Sequence, residues 1–365
     1  MNILPSPLLL LGVGGAGAAM LRGVLRAYGP DIRALAIDTD AQAGGNGDIP
    51  FLLLGGNRLA GRGTGGQAAH ARAAFLDTPS ILDTSLDGVR TVVIVTALGG
   101  GTGGGATGEI LKHLHTRGIA TLVFATTPFT FEGAERVRAA RAAIGPIEQH
   151  ADVSVFLPLD ELVGKAGTDN MRDALARGMD TLSLGVTLLW RLLERPGYIQ
   201  LDSERLRAIL VGCGRAHFAT ATAQGPDRAD AVLAALSESP LLKRDESAAH
   251  VRSILVGVLA GDDLLLSEVG AIASGLSAAF GLGATLELGT VNDEATFSGR
   301  LTVVALVFDE SATAVRKPVS TTTRATQRER ALGRNDRFRH SDATMWNDED
   351  LDTPTYIRRH LTLDR

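Results

Sequence analysis

A stretch of ten residues, GGGTGGGATG at positions 99–108, contains seven glycines and lies between the apolar run TVVIVTA and the helix-like run EILKHLHTRG. A second stretch, GVGGAG at positions 12–17, also follows an apolar run and opens a helix-like one. Glycines at such a junction let a ligand approach the backbone, where N–H groups and a helix N-terminus both face an anion. The two stretches therefore predict a phosphate-binding edge.

Continuous apolar runs alternate with helix-like segments through the first part of the chain. This alternation is typical of a parallel sheet covered on both faces by helices, with ligands bound at the carboxyl ends of the strands. The glycine-rich loops lie at those ends. The predicted strands are PLLLLGV (7–13), RALAIDTD (33–40), FLLLG (51–55), TVVIVTA (91–97) and ATLVFATTPF (120–129).

The pattern changes after a long helix-like run at 179–197, which ends at Pro196-Gly197. Three strand-like runs then flank one helical run, which predicts a smaller α+β domain at about 205–309. From about 310 the chain is rich in Thr, Arg and Asp without apolar periodicity, as expected for a disordered linker.

Composition narrows the classes of function. A net charge of −5 gives no electrostatic reason to bind nucleic acid. The single cysteine, Cys213, excludes an intrachain disulfide and fits a reducing cytosol. The N-terminal apolar run is too short to insert in a membrane, and the histidines show no metal-ligand spacing, so we expect a cytoplasmic protein without a protein-bound metal cluster.

The first glycine loop alone has several interpretations. GVGGAG fits the fingerprint of a dinucleotide-dependent enzyme, and it fits a tight turn without a ligand equally well. A second loop of this kind, together with AGRGTGG at 60–66, favours a polyphosphate over a dinucleotide.

Six segments in order resemble motifs of the tubulin/FtsZ family, in its FtsZ branch. GGGTGGG is similar to the family signature G-G-G-T-G-[ST]-G, with Gly104 at the hydroxyl position. AIDTDAQA is similar to A-V-N-T-D-A-Q-A, with Asp38 for the asparagine. The other matching segments are GVGGAG, TTPFTFEGAER, ATAQGPDRADAV and DTPTYIRR.

The resemblance implies the α/β tubulin/FtsZ fold, with a Rossmann-like GTPase domain, a long central helix and a smaller α+β C-terminal domain. The implied segments are a nucleotide-binding domain at 1–178, the central helix and catalytic loop at 179–204, the C-terminal domain at 205–309, a disordered linker at 310–347, and a partner-binding peptide at 348–365. Members polymerise head to tail, and GTP on one subunit is hydrolysed with a loop of the next.

The resemblance also implies a site for GTP or GDP, with Mg²⁺ accompanying GTP. Glu132 and Arg136 match the family's sugar- and phosphate-contacting pair. The full set of implied nucleotide-binding positions is Gly14, Gly15, Ala16, Gly17, Ala19, Gly63, Thr64, Gly99, Gly100, Gly101, Thr102, Gly103, Glu132, Arg136 and Met179.

Several positions that read the guanine base in the family differ in this sequence. Ala19 and Leu159 replace asparagines, and Met179 replaces an aspartate, with Asp180 next to it. Leu175 replaces an aromatic residue beside the base. Because polar partners supply most of the selectivity of such a pocket, we expect a weakened preference for guanine.

The catalytic loop also departs from the family pattern N-x-D-x-x-D, since it reads QLDSER at 200–205. Asp202 keeps the first carboxylate, Arg205 takes the place of the second, and Glu204 lies beside it. Loss of a water-orienting carboxylate predicts slow hydrolysis. Two roles remain open for Arg205: an ion pair with Glu204, or contact with the γ-phosphate held by the neighbouring subunit.

Composition alone favours a solvated chain end for the C-terminal segment DTPTYIRR, but the segment resembles the family's division peptide. The resemblance implies that Pro354, Tyr356, Ile357, Arg358 and Arg359 bind membrane-tethering division proteins. The sequence thus predicts a filament-forming, weak GTPase at the midcell division site. The alternative is a non-catalytic paralogue that forms or modulates filaments with weak or no nucleotide specificity.

Overall fold

A computed structural model describes residues 7–28, 31–162, 170–242, 251–280 and 283–309, and the backbone of 345–346 and 349–350. The first ten strands form one sheet. The strands are β1 (Leu8–Val13), β2 (Ala34–Asp38), β3 (Phe51–Leu53), β4 (Thr91–Ala97), β5 (Ala120–Thr127), β6 (Val153–Pro158), β7 (Gly214–Gln224), β8 (Val251–Ala260), β9 (Thr285–Asn292), β10 (Arg300–Asp309), β11 (Met345–Trp346) and β12 (Glu349–Asp350).

Helices cover both faces of this sheet, as the sequence predicts for a doubly covered parallel sheet. The helices are α1 (Gly14–Tyr28), α2 (Gly56–Leu59), α3 (Ala68–Asp77), α4 (Gly101–Thr116), α5 (Ala134–His150), α6 (Leu159–Leu162), α7 (Met171–Glu194), α8 (Ser203–Leu210), α9 (Arg228–Glu238), α10 (Leu266–Phe280) and α11 (Glu294–Phe297).

The strand order is β3-β2-β1-β4-β5-β6-β7-β10-β8-β9. Strands β1 to β7 pair in parallel, whereas β10 is antiparallel to both β7 and β8. The predicted α/β fold, with a parallel sheet followed by a smaller mixed region, is confirmed.

Alternate residues of β1 explain how the sheet is covered. Leu8 and Leu10 belong to a core with α1 and α7, and Leu9 and Leu11 belong to a core with α3 and α4. Side chains of a strand point to opposite faces in turn, so a strand between two helix layers is apolar throughout. A third core joins α9 and α10 to β7, β8 and β10.

Two strands of the ten-stranded sheet were not predicted from the sequence, and both lie where the parallel and the antiparallel parts of that sheet meet. Strand β6 pairs with β7 through Val153–Gly214 and Ser154–Arg215. Strand β7, GRAHFATATAQ, alternates between buried and accessible positions and uses small residues. It therefore lacks the continuous apolar run that marks the other strands.

Helix α7 has 24 residues, and at 1.5 Å per residue it is about 36 Å long. It begins ahead of the apolar run that predicts it, because Asn170 caps its first turn by accepting the Asp173 N–H at 3.0 Å. It ends before Pro196, as predicted. Its buried face packs in the same core as Leu8 and Leu10 of β1.

The chain divides into two compact units, Met1–Pro318 and Val319–Arg365. In the second unit the described residues form the antiparallel pair β11–β12. Residues 310–344 of the predicted linker and the partner-binding residues Pro354, Tyr356, Ile357, Arg358 and Arg359 lie outside the described residues, whereas β11 lies at the end of the segment predicted to be disordered. None of the helices in the described ranges is long and apolar enough to cross a membrane.

Candidate nucleotide-binding site

A cavity of about 600 Å³ lies at the carboxyl ends of β1, β2, β4 and β5. Two helices, α1 and α4, begin at this edge, so both N-termini contribute backbone N–H groups and positive potential there. Of the residues that the sequence analysis assigns to a nucleotide, the following line the cavity: Gly14, Gly15, Ala16, Gly63, Thr64, Gly100, Gly101, Thr102, Gly103, Glu132 and Arg136.

Close backbone packing explains why these loops contain glycine. A Cβ on Gly103 would lie 2.4 Å from the Ala97 carbonyl oxygen and 2.6 Å from Thr96 Oγ1. A Cβ on Gly17 would lie 2.6 Å from the Val95 carbonyl oxygen. Gly17 and Gly99 are not among the lining residues, and Gly99 adopts a φ of +93°. Gly17 lets the first turn of α1 pack against β4, and Gly99 forms the turn between β4 and α4.

Threonine hydroxyls tie the two glycine loops together. Thr39 Oγ1 and Thr102 Oγ1 form a buried hydrogen bond of 2.8 Å between the end of β2 and the start of α4. Thr96 Oγ1 donates to the Val13 carbonyl at 3.0 Å, which links β4 to β1. These bonds fix the two helix N-termini relative to each other.

The charged lining includes three side chains that the sequence analysis did not assign to the site: Asp38, Asp40 and Arg62. Asp38 is only 4% exposed, and one of its oxygens accepts the Thr39 N–H at 2.7 Å. The acidic end of β2 and the AGRGTGG loop were the available signals. Of the other charged side chains, Arg136 is ion-paired with Glu132, whose carboxylate also accepts the Phe129 N–H at 2.9 Å.

The residues expected near the base are only partly brought together. Leu159 lines the cavity together with Met20. Ala19 is exposed beside Met20 and is not among the lining residues. Met179 also lies outside the lining, because it packs against α1, where its Cγ is 3.5 Å from the position of a Cβ on Gly23.

The residues predicted to form the catalytic loop make up a second group. Asp202 caps α8 by accepting the Arg205 N–H at 2.7 Å. Glu204 pairs with Arg90 at 3.0 Å. Arg205 is ion-paired with Glu287 of β9. Of the two roles left open for Arg205, the ion pair with Glu204 is not formed, because the two side chains extend from α8 toward different partners.

This second group lies at the amino-terminal ends of the parallel strands, whereas the cavity lies at their carboxyl ends. Arg90 directly precedes β4, and the cavity follows β4 at Ala97. Seven residues of strand span about 23 Å. Arg195, at the end of α7, likewise lies near Asp31, which precedes β2. Within one chain, Asp202 and Arg205 are therefore far from the cavity.

The cavity with its two helix N-termini defines the class of protein: an α/β protein that binds a polyphosphate at the carboxyl edge of a parallel sheet. The Tubulin/FtsZ family GTPase domain matches residues 7–167, and the FtsZ family C-terminal domain matches residues 214–309. The chain belongs to the FtsZ family. This finding selects a GTPase family over the dinucleotide-dependent enzymes that one glycine loop alone allows.

Curated relatives are similar over most of their length. Cell division protein FtsZ of Pseudomonas aeruginosa is 30% identical over 351 residues, which cover 96% of this chain and 88% of the relative. Cell division protein FtsZ of Pseudomonas putida is 32% identical over 295 residues, covering 80% and 74%.

Solved structures also superpose on most of this chain. A mutant FtsZ from M. jannaschii superposes with a TM-score of 0.76 at 25% identity, covering 82% of this chain and 90% of that chain. A GTPγS-bound protofilament of CetZ2 from Haloferax volcanii has a TM-score of 0.68 and covers 88% and 99%. At 20% identity, the CetZ2 likeness shows the fold alone.

Proposed function

We propose that this chain is a GTP-binding protein of bacterial cell division that polymerises head to tail and hydrolyses GTP slowly between subunits. The observation that carries the proposal is the separation of two half-sites. The cavity lies at one edge of the sheet, and Asp202 lies at the other edge. A heterologous contact that stacks one copy on the next brings the two together and repeats without closing.

The cavity fits a guanine nucleotide with its phosphates at the helix N-termini. Gly14–Ala16 of α1 and Gly101–Gly103 of α4 face the phosphates, Glu132 and Arg136 contact the sugar, and the base lies toward Met20 and Leu159. At the starts of α1 and α4 the glycines pack so closely against neighbouring atoms that a side chain would not fit. Without side chains, the backbone N–H groups can form the concave site that a phosphate needs. The apolar base end gives weak discrimination among bases.

A divalent cation belongs to this proposal. Once the Glu132–Arg136 pair is set aside, the lining charges are Asp38, Asp40 and Arg62. A polyphosphate placed beside two carboxylates requires further positive charge, which Mg²⁺ supplies. Asp38, Asp40 and the Thr102 hydroxyl are oxygen donors of the kind that Mg²⁺ prefers. The ion would neutralise charge on the phosphates.

Asp202 is the water-orienting carboxylate in this proposal, supplied to the cavity of the neighbouring copy. Its second oxygen is available for that role while the first caps α8. Arg205 replaces the second carboxylate, and its ion pair with Glu287 keeps it on its own subunit. The same ion pair favours the second candidate, a paralogue that assembles without turnover. In both cases the nucleotide is bound.

The peptide at 348–365 completes the proposal. Tyr356 and Ile357 would fill an apolar groove on a membrane-tethering division protein, and Arg358 and Arg359 would meet its acidic rim. The segment at 310–347 would act as a flexible spacer, and the filament would lie in the cytoplasm at midcell.

One set of measurements tests these statements. Nucleotide extracted from purified protein should include guanine nucleotide without strong exclusion of adenine nucleotide, electron microscopy should show filaments, and phosphate release should be slow and dependent on protein concentration. Filaments with bound nucleotide and no phosphate release would select the non-catalytic paralogue. Absence of bound nucleotide together with monomers under all conditions would contradict both candidates. Deletion of 348–365 should leave assembly in vitro intact and abolish midcell localisation.

A further inference from the structure

The cavity holds two guanidinium groups that differ in their partners. Arg136 is ion-paired with Glu132. Arg62 also lines the cavity, and it makes no ion pair with a carboxylate in the described part of the chain. Arg62 belongs to the AGRGTGG loop and was not assigned any role in the sequence analysis. We propose that Arg62 binds the terminal phosphate of the nucleotide from within the same chain, an inference that rests on the proposed function.

The backbone holds Arg62 in a fixed position at the end of β2. Arg62 forms an isolated β-bridge with Asp40. On one side of it, the Ala41 N–H donates to the Gly61 carbonyl at 3.0 Å. On the other side, the Gly63 N–H donates to the Thr39 carbonyl at 3.1 Å. These two hydrogen bonds form the bridge, and they fix the backbone of Arg62 to the segment that ends β2.

The backbone conformation of this loop depends on the glycines on either side of Arg62. Gly61 and Gly63 adopt φ angles of +71° and +73°, which residues with a side chain rarely adopt. Arg62 lies between them and is the one residue of the segment Gly61–Gly63 that carries a side chain. The same loop continues through Thr64, whose Oγ1 lies where a Cβ on Gly101 would stand. The loop therefore covers the N-terminus of α4, where phosphate is expected.

The strand order decides which end of the nucleotide Arg62 faces. Leu159, at the base end, follows β6, whereas Arg62 is attached to the end of β2. Four strand spacings separate β2 from β6, which corresponds to about 19 Å. The two helix N-termini follow β1 and β4, between these limits. A nucleotide with its base at Leu159 therefore directs its last phosphate toward Arg62.

The chemistry of the group fits that position. A guanidinium presents a planar fork of donors that matches phosphate oxygens and remains charged at all physiological pH values. Arg62 also offsets the carboxylates of Asp38 and Asp40 at the same end of the cavity. A triphosphate gains this contact and a diphosphate does not, so Arg62 distinguishes the two nucleotides before any neighbouring subunit arrives.

The test compares triphosphate and diphosphate binding by the full-length chain at concentrations below assembly. We expect Arg62→Ala to weaken binding of a non-hydrolysable GTP analogue about 10- to 100-fold, as for a hydrogen bond to a charged group, with GDP affinity unchanged. Arg62→Lys should retain part of the affinity. The matched control is Arg58→Ala: Arg58 lies on the neighbouring helix α2, is half-exposed and pairs with Asp77 outside the cavity.

Each other outcome has a definite meaning. Equal losses for triphosphate and diphosphate would show that Arg62 only neutralises Asp40, and the inference would be overturned. Unchanged affinity for both nucleotides would overturn it as well. If the unsubstituted chain binds neither nucleotide, the proposed function itself fails. Thermal melting of each variant, with retained GDP binding, confirms that the loop substitution leaves the fold intact.

Discussion

The two half-sites lie under different physical constraints. At the cavity end, the site is made by backbone: glycines, helix N-termini and strand carbonyls in van der Waals contact. At the other end it is made by side chains, with Asp202, Glu204 and Arg205 each engaged by a different partner. A backbone site tolerates almost no substitution, whereas one side chain can be exchanged without disturbing the fold. The family's phosphate signature is accordingly retained, and the catalytic loop has diverged.

The strongest test of this contrast lies within one turn of α4. Gly103→Ala would place a methyl group 2.4 Å from the Ala97 carbonyl oxygen, so the helix start must move away from β4. We expect loss of nucleotide binding and a decrease in the free energy of unfolding of roughly 1–3 kcal/mol, as for overpacking. Binding by equilibrium dialysis and denaturant unfolding would measure the two effects.

The neighbouring residue supplies the matched control. A Cβ on Gly104 would lie 3.6 Å from Ala143 Cβ, an ordinary contact. Gly104→Ala should keep nucleotide binding and gain up to about 1 kcal/mol in stability, because alanine favours a helix over glycine. If both variants bind nucleotide equally well, the close packing at Gly103 has no role in the site.

At the opposite end, the carboxylate of Asp202 is the group to remove. Asp202→Asn keeps an N-cap for α8, since asparagine caps helices as well as aspartate does, but it loses the negative charge. We expect phosphate release to fall about 10²- to 10⁴-fold, the range for general-base catalysis, with filaments still formed. Asp202→Ala, which also removes the cap, should be slower and less stable. Phosphate release unchanged in the asparagine variant would mean that another group orients the water.

The next prediction asks whether Arg205 limits turnover. Arg205→Asp alone would place two like charges together, because Glu287 is its partner. The informative variant therefore combines Arg205→Asp with Glu287→Gln. We expect phosphate release to rise by up to roughly 10²-fold, the lower end of general-base catalysis. The matched control is Glu287→Gln alone, which should leave the rate unchanged. No increase in the double variant would place the block elsewhere.

The same contrast explains what the sequence could predict. Glycine spacing after β1 and β4 was sufficient to locate the end of the sheet where the cavity lies, because a Cβ on Gly12, Gly17 or Gly103 would clash with neighbouring backbone. Strand β7 was missed because its small and polar residues carry no apolar run. The partner of Arg205 lies more than eighty positions away on β9, and no local pattern connects Arg205 to Glu287.

Residue roles at the base end were the hardest to infer for a related reason. Met179 was assigned to the base from its position in the sequence motif. Each successive side chain of helix α7 is rotated about the helix axis by a fixed angle, and the side chain of Met179 is directed toward α1. Arg62 belonged to a motif already quoted, yet its direction depends on the pairing of its loop with Asp40. Motifs thus predicted backbone geometry well and side-chain direction poorly.

The smallest expected effect concerns base selectivity at Leu159, which lines the apolar end of the cavity. Leu159→Asn restores a polar group at the position where the family has asparagine. One added hydrogen bond of about 0.5–1.5 kcal/mol would raise the preference for GDP over ADP by roughly two- to tenfold. The matched control is Leu76→Asn, at an exposed leucine of α3 that does not line the cavity. Competition binding with both nucleotides measures the ratio. In the proposed binding mode the diphosphate contacts the backbone of the helix starts in GDP and ADP alike, so the ratio should change through GDP alone. A parallel gain for ADP would show that the new amide contacts sugar or phosphate, and that the base lies elsewhere in the cavity.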